Sequence, residues 1–93
     1  MILSVKHTVA DFDAWKLAFD EHAANRREHG ATGHRLVRNV DDPNALTVLV
    51  MFPDRGDAEG FLADASLREK MPSAGVTSEP TIEFLEVTEE VPY

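Results

Sequence analysis

Apolar and polar positions along the chain change period several times, and each change marks an element. Residues 2–9 alternate, with Leu3, Val5, His7 and Val9 on one side and Ile2, Ser4, Lys6 and Thr8 on the other, the two-residue period of a strand. From Phe12 the period lengthens to that of a helix. Phe12, Trp15, Phe19 and Ala23 share one stripe, and the pattern runs to about His29 with Lys16, Asp20 and Arg27 on the polar side. Asp11 stands where an N-cap belongs and Gly30 where a helix ends. Residues 32–40 predict a second strand, and Asp41-Asp42-Pro43-Asn44 a hairpin turn. Residues 45–52 form a third strand that is apolar on both sides, with Leu46, Val48, Val50 and Phe52 in one row and Leu49 and Met51 in the other. Pro53 ends it.

Asp54 then caps a second helix, with Asp57 three residues on in a capping-box position and Phe61, Leu62 and Ala65 on the buried side. Ser66-x-x-Glu69 repeats the capping pattern, so a short helical turn is expected through Lys70, stopping before Pro72. Residues 81–87 predict the fourth strand, with Glu83 facing outward between Ile82 and Phe84. The order β-α-β-β-α-β over one domain, residues 1–93, predicts an α+β, ferredoxin-like fold: a four-stranded antiparallel sheet with both helices on one face. The third strand then lies inside the sheet. Its second apolar row would face water unless a second copy packs sheet against sheet, so a homodimer is expected.

Composition sharpens this. A chain of 93 residues buries about 64% of its unfolded surface, a thin core that a partner subunit would thicken. The absence of cysteine excludes disulfides, a thiol nucleophile and cysteine-based metal sites. Seventeen acidic against nine basic side chains give a net charge of −8, which disfavours nucleic acid and anionic membrane as partners. The N-terminal apolar stretch holds a lysine and a histidine and is too short for a signal-peptide core or a membrane span, so a cytoplasmic location is expected. The acidic end, Glu79 to Tyr93, carries five glutamates and reads as a solvated edge.

The candidate chemistry lies in the histidines, whose ordinary pKa near neutrality suits a general base. At 100° per residue His22 falls on the stripe of Trp15 and Phe19, and Arg26 follows one turn later. His7 shares its strand row with Leu3, Val5 and Val9, the row expected under the helices. His7 and His22 are therefore the candidate bases. Trp15, Phe19, Arg26 and Phe52 are the candidate substrate-binding residues of one apolar cavity. Each also has a plainer reading, the histidines as partly buried hydrogen-bonding groups and the aromatics as core. No metal is expected. His22 and His29 stand about 10 Å apart along a helix, too far to share an ion, and His29 and His34 match no ligand pattern. Neither a phosphate-binding glycine loop between strand and helix nor a serine elbow is present.

Four segments carry a resemblance: Asp11-Phe-Asp-Ala-Trp15, Arg26-Arg-Glu-His-Gly-Ala-Thr-Gly-His34, Arg38-Asn-Val-Asp-Asp-Pro-Asn44 and Phe61-Leu-Ala-Asp-Ala-Ser-Leu-Arg68. Across nearly its whole length the chain resembles the dimeric α+β barrel superfamily, in particular its small antibiotic-biosynthesis-monooxygenase-like and cyclase-like domains. The resemblance implies a homodimer with a ligand pocket between sheet and helices in each subunit. It also implies oxygenation or cyclisation of an aromatic or polyketide-type small molecule, with no bound cofactor. The haem-degrading branch uses an asparagine late in the first strand, a tryptophan ending the third strand and a histidine on the second helix. Here those places hold His7, Phe52 and no histidine, which argues against haem chemistry. The alternative is a small-molecule-binding or stress-response homodimer without catalysis on the same scaffold.

Overall fold

A computed structural model describes residues 1–93. Its strands are β1 (Ile2–Thr8), β2 (Gly33–Arg38), β3 (Ala45–Met51) and β4 (Thr81–Leu85), and they lie in the order β2-β3-β1-β4. All three pairings are antiparallel, with β3 inside the sheet and β4 at an edge as the acidic segment predicts. The first expected helix is present as two pieces, α1 (Phe12–Glu21) and α2 (Ala23–Glu28). The second, α3 (Arg55–Leu62), is followed by the separate helical segment expected after it, α4 (Ala65–Ser73), which is longer than a short turn and holds Ala65 at its exposed start. The architecture is the α+β, ferredoxin-like arrangement that the order of elements predicts.

Register sorts the sheet into two faces. Leu3 pairs with Val50, Val5 with Val48 and His7 with Leu46, and this row lies under the helices. Leu3, Leu46, Val48 and Val50, with Val9, Phe52, Ala58, Phe61 and Trp15, form the buried core. On the other face Ile2, Ser4 and Lys6 pair with Met51, Leu49 and Thr47. No helix covers that face, so Leu49 and Met51 stay half-buried.

The helix ends differ from expectation in instructive ways. Helix 12–29 is not continuous. The His22 N–H is shared between the Ala18 carbonyl at 3.3 Å and the Phe19 carbonyl at 3.2 Å, the latter also accepting from Arg26 Nη1 at 2.8 Å, and the helix breaks at His22. Asp11 occupies the N-cap position of α1, yet its side chain caps nothing. The acceptor for the Phe12 N–H is Asn44 Oδ1 at 3.0 Å, reaching over from the β2–β3 hairpin. Asp54 does cap α3, accepting from the Asp57 N–H at 2.9 Å. The second capping residue is Asp64 rather than Ser66: its Oδ1 accepts from the Ser66 N–H at 2.8 Å. Nor does α4 stop before Pro72. The proline sits in the final turn, where the Ala74 N–H reaches the Lys70 carbonyl at 2.8 Å. Only one ladder bond is lost there, so the helix carries through. Gly30 closes α2 with a φ of 94°, the left-handed backbone that a terminating glycine supplies.

Candidate functional site

Between the helices and the covered face of the sheet lies a cavity of about 90 Å³. Strand β1 contributes Val5 and His7 and β3 contributes Val48 and Val50, because these are the inward positions of the two central strands. Helix α1 places Trp15 and Phe19 one turn apart on its inner stripe. Their rings stack, with centroids 5.0 Å apart and planes 26° from parallel. His22 at the helix break and Arg26 in α2 complete that wall. The opposite wall comes from α3 and α4, through Phe61, Leu67, Lys70 and Met71. Lys70 and Ile82 are exposed and mark the mouth.

The structure therefore brings His7, His22, Trp15, Phe19 and Arg26 to one cavity and leaves Phe52 outside it. Phe52, at 2% exposure, is packed behind the site with its ring 5.8 Å from that of Phe61. The physical reason is position: β3 has ended before residue 52, and the side chain turns under α3 rather than under α1.

His7 is buried, its ring centroid 5.7 Å from that of Trp15 with the planes 65° apart, and its Nδ1 has no hydrogen-bond partner. Burial lowers its pKa, so it is neutral at physiological pH with one ring nitrogen free to accept a proton. His22 is also pushed down, first by burial and then by the Arg26 charge. Its Nε2 lies 3.4 Å from Ser66 Oγ. Arg26 is 5% exposed, pairs with no carboxylate, and has its guanidinium carbon 3.6 Å from the centre of the Phe19 ring. Burial lowers its pKa from the high value of an ordinary arginine, and the group stays charged.

Beside the cavity Asp64 gathers polar groups that the sequence pattern does not flag. Its Oδ2 accepts from His29 Nε2 at 2.7 Å and from Asn25 Nδ2 at 2.9 Å, tying α2 to the start of α4. These bonds, that from His29 first, hold the Asp64 carboxyl far below the usual carboxylate range. The Asp64-x-Ser66 cap is the one local signal of this cluster. Lys70, Leu67 and Met71 carry no signal at all, since they become cavity wall only through the fold. No three His, Asp or Glu side chains are arranged to hold a metal ion. No helix is long and apolar enough to cross a membrane.

No protein-family model matches the chain, and no curated protein does. Solved structures do. One described as an antibiotic biosynthesis monooxygenase superimposes with a TM-score of 0.73 at 15% identity, covering 96% of this chain and 100% of the other. SnoaB, a cofactor-independent oxygenase from Streptomyces nogalater, gives a TM-score of 0.72 at 21% identity, covering 94% of this chain and 93% of that one. A variant of SnoaB gives 0.72 at 18% identity over 99% and 95% of the two chains. In fold, this chain is an α+β, ferredoxin-like domain of the kind seen in the antibiotic biosynthesis monooxygenases.

Proposed function

We propose that the protein is a small monooxygenase-like or cyclase-like enzyme that acts on an aromatic or polyketide-type molecule held between sheet and helices. The observation that carries this is the convergence of two neutral histidines and one buried cation in an otherwise apolar, aromatic-walled cavity. His22 or His7 removes a proton from a phenol or a carbon acid, and Arg26 steadies the anion that forms. Trp15 and Phe19 hold the ring and keep water away. In an oxygenase the electron-rich anion then reacts with dioxygen. A methylene becomes a carbonyl, its two hydrogens leave with the second oxygen atom as water, and the substrate supplies every electron. In a cyclase the same anion attacks a carbonyl of the chain.

The working unit of this reading is a homodimer with the uncovered sheet faces packed together. Two features support it. Leu49 and Met51 sit half-buried on a face that no helix covers. The single chain exposes 6147 Å², more than the roughly 5,400 Å² expected of a monomer of this mass, although the extended end 86–93 adds to that figure.

The test is His22→Ala on a phenolic or β-keto substrate. With His22 as the base, turnover disappears with the oligomeric state unchanged; unaltered turnover removes His22 from the chemistry and leaves His7 as the base.

A further inference from the structure

The electrical character of the cavity is opposite to that of the chain. Acidic side chains outnumber basic ones by 17 to 9, yet no Asp or Glu lines the cavity. Its four polar lining residues are His7, His22, Arg26 and Lys70. Arg26 is the unusual one. A buried guanidinium normally meets a carboxylate, because an uncompensated buried charge is costly. This one is 5% exposed, stacks on Phe19, and makes a single hydrogen bond, from Nη1 to the Phe19 carbonyl at 2.8 Å. A guanidinium has five N–H donors, so four remain without a protein acceptor, and Nε and Nη2 are open to whatever enters the cavity. His7 Nδ1 is likewise without a partner in the same cavity.

We propose that the natural ligand is a one-ring aromatic carboxylate, its carboxylate paired with the Arg26 guanidinium and its ring held against Trp15. The inference rests on the reading above that this cavity is the substrate site. It adds a group that is ionised before any chemistry begins. A neutral phenol leaves Arg26 with only the unpaired, more distant charge of Asp20 until its proton is removed, whereas a carboxylate pairs with it directly on binding. The planar fork of arginine also fits the two oxygens of a carboxylate together. The ring count follows from size. The cavity of about 90 Å³ is smaller than the roughly 150 Å³ that accommodates benzene in an apolar protein interior. No more than one ring therefore enters it, and that only as side chains at the mouth give way.

Benzoate is the probe, with benzamide as its neutral isostere, titrated into the full chain and read by the fluorescence of Trp15, its single tryptophan. Benzoate is expected to give saturable quenching, with benzamide at least about tenfold weaker, the ratio of a charge-assisted to a neutral hydrogen-bonded pair. Arg26→Met removes that preference, and Arg26→Lys restores part of it. Equal affinity of the unmodified chain for the two probes, or no response to benzoate, overturns the proposal, and that comparison needs no variant to fold. Naphthoate binding as tightly as benzoate overturns the one-ring limit. Benzoate bound through Arg26 without turnover of any phenolic or β-keto compound retires the enzymatic reading and leaves the anion site. Turnover of a neutral phenol that benzoate does not inhibit does the reverse.

Discussion

Replacing Asn44 by alanine tests how the helix that carries Trp15 and Phe19 is seated. Asn44 Oδ1 accepts from the Phe12 N–H at 3.0 Å, and its Nδ2 reaches the Ala10 carbonyl at 3.4 Å. One side chain thus satisfies an orphan donor at the start of α1 and fastens that end to the β2–β3 hairpin. Loss of a capping acceptor costs about 1 kcal/mol, and the second contact, at the edge of hydrogen-bond range, adds little. At about 2.1 cal/mol/K per residue, 93 residues have an unfolding entropy near 195 cal/mol/K, so about 1 kcal/mol lowers Tm by roughly 5 °C. Urea unfolding followed by Trp15 fluorescence reads the change as a shift in midpoint at constant slope. Two controls make the test sharp. Asn44→Asp keeps the accepting oxygen and is expected to lie near the parent. Asp11→Ala, at the nominal capping position, is expected to cost only a few tenths of a kcal/mol through the helix dipole, since its side chain makes no cap bond. A loss at Asp11→Ala equal to or greater than that at Asn44→Ala would refute the reasoning.

Stability is expected to fall with acid in two stages. His7 and His22 have folded pKa values below the ordinary one, so the unfolded chain takes up protons first and stability declines as pH drops below about 6.5. Asp64 has a depressed pKa, so its contribution is whole above about pH 4 and disappears as pH falls further through the folded value. Urea midpoints measured across that range should show both declines, with the Asp64 share of the lower one missing in Asp64→Asn. A midpoint that stays flat from neutrality down to about pH 5.5 contradicts the buried-histidine reading. For the dimer, Leu49→Lys places a charge opposite Ser4 in the middle of the uncovered sheet face. Sedimentation should change from twice the chain mass of 10.3 kDa to that mass itself. A parent chain that already sediments as a monomer at micromolar concentration rejects the dimer.

The ferredoxin-like arrangement, the two faces of the sheet and the inner position of β3 were all legible in the sequence, because each follows from a two-residue period and the order of elements. The convergence of His7, His22, Trp15, Phe19 and Arg26 was legible too, since helical spacing and strand alternation alone place them. What the pattern hides depends on side chains acting at a distance. At the break at His22 the Phe19 carbonyl is taken up by Arg26, seven residues on, a contact that no local pattern announces. The α1 cap is supplied from 32 residues away along the chain. Phe52 continues the inward row of β3 by alternation, but the strand has ended there and the ring packs against Phe61 instead of entering the cavity. The wall from α4 has no local signature, because Leu67, Lys70 and Met71 resemble any amphipathic helix until α4 is laid over the sheet.

The cavity is not equally stiff all round. Its inner sides are β-branched strand residues and stacked aromatic rings, which have few rotamers and close packing behind them. The side near the mouth is formed by Met71 and Lys70, long unbranched chains with several free torsions, on a helix with no buried residue. Selectivity should be uneven in consequence. A methyl group added to a ligand at the end that meets Trp15 and the strand valines collides with the walls that yield least. The same group at the opposite end only turns Met71 or Lys70 to another rotamer. A series of ring-substituted ligands would then divide by the position of the substituent rather than by its size.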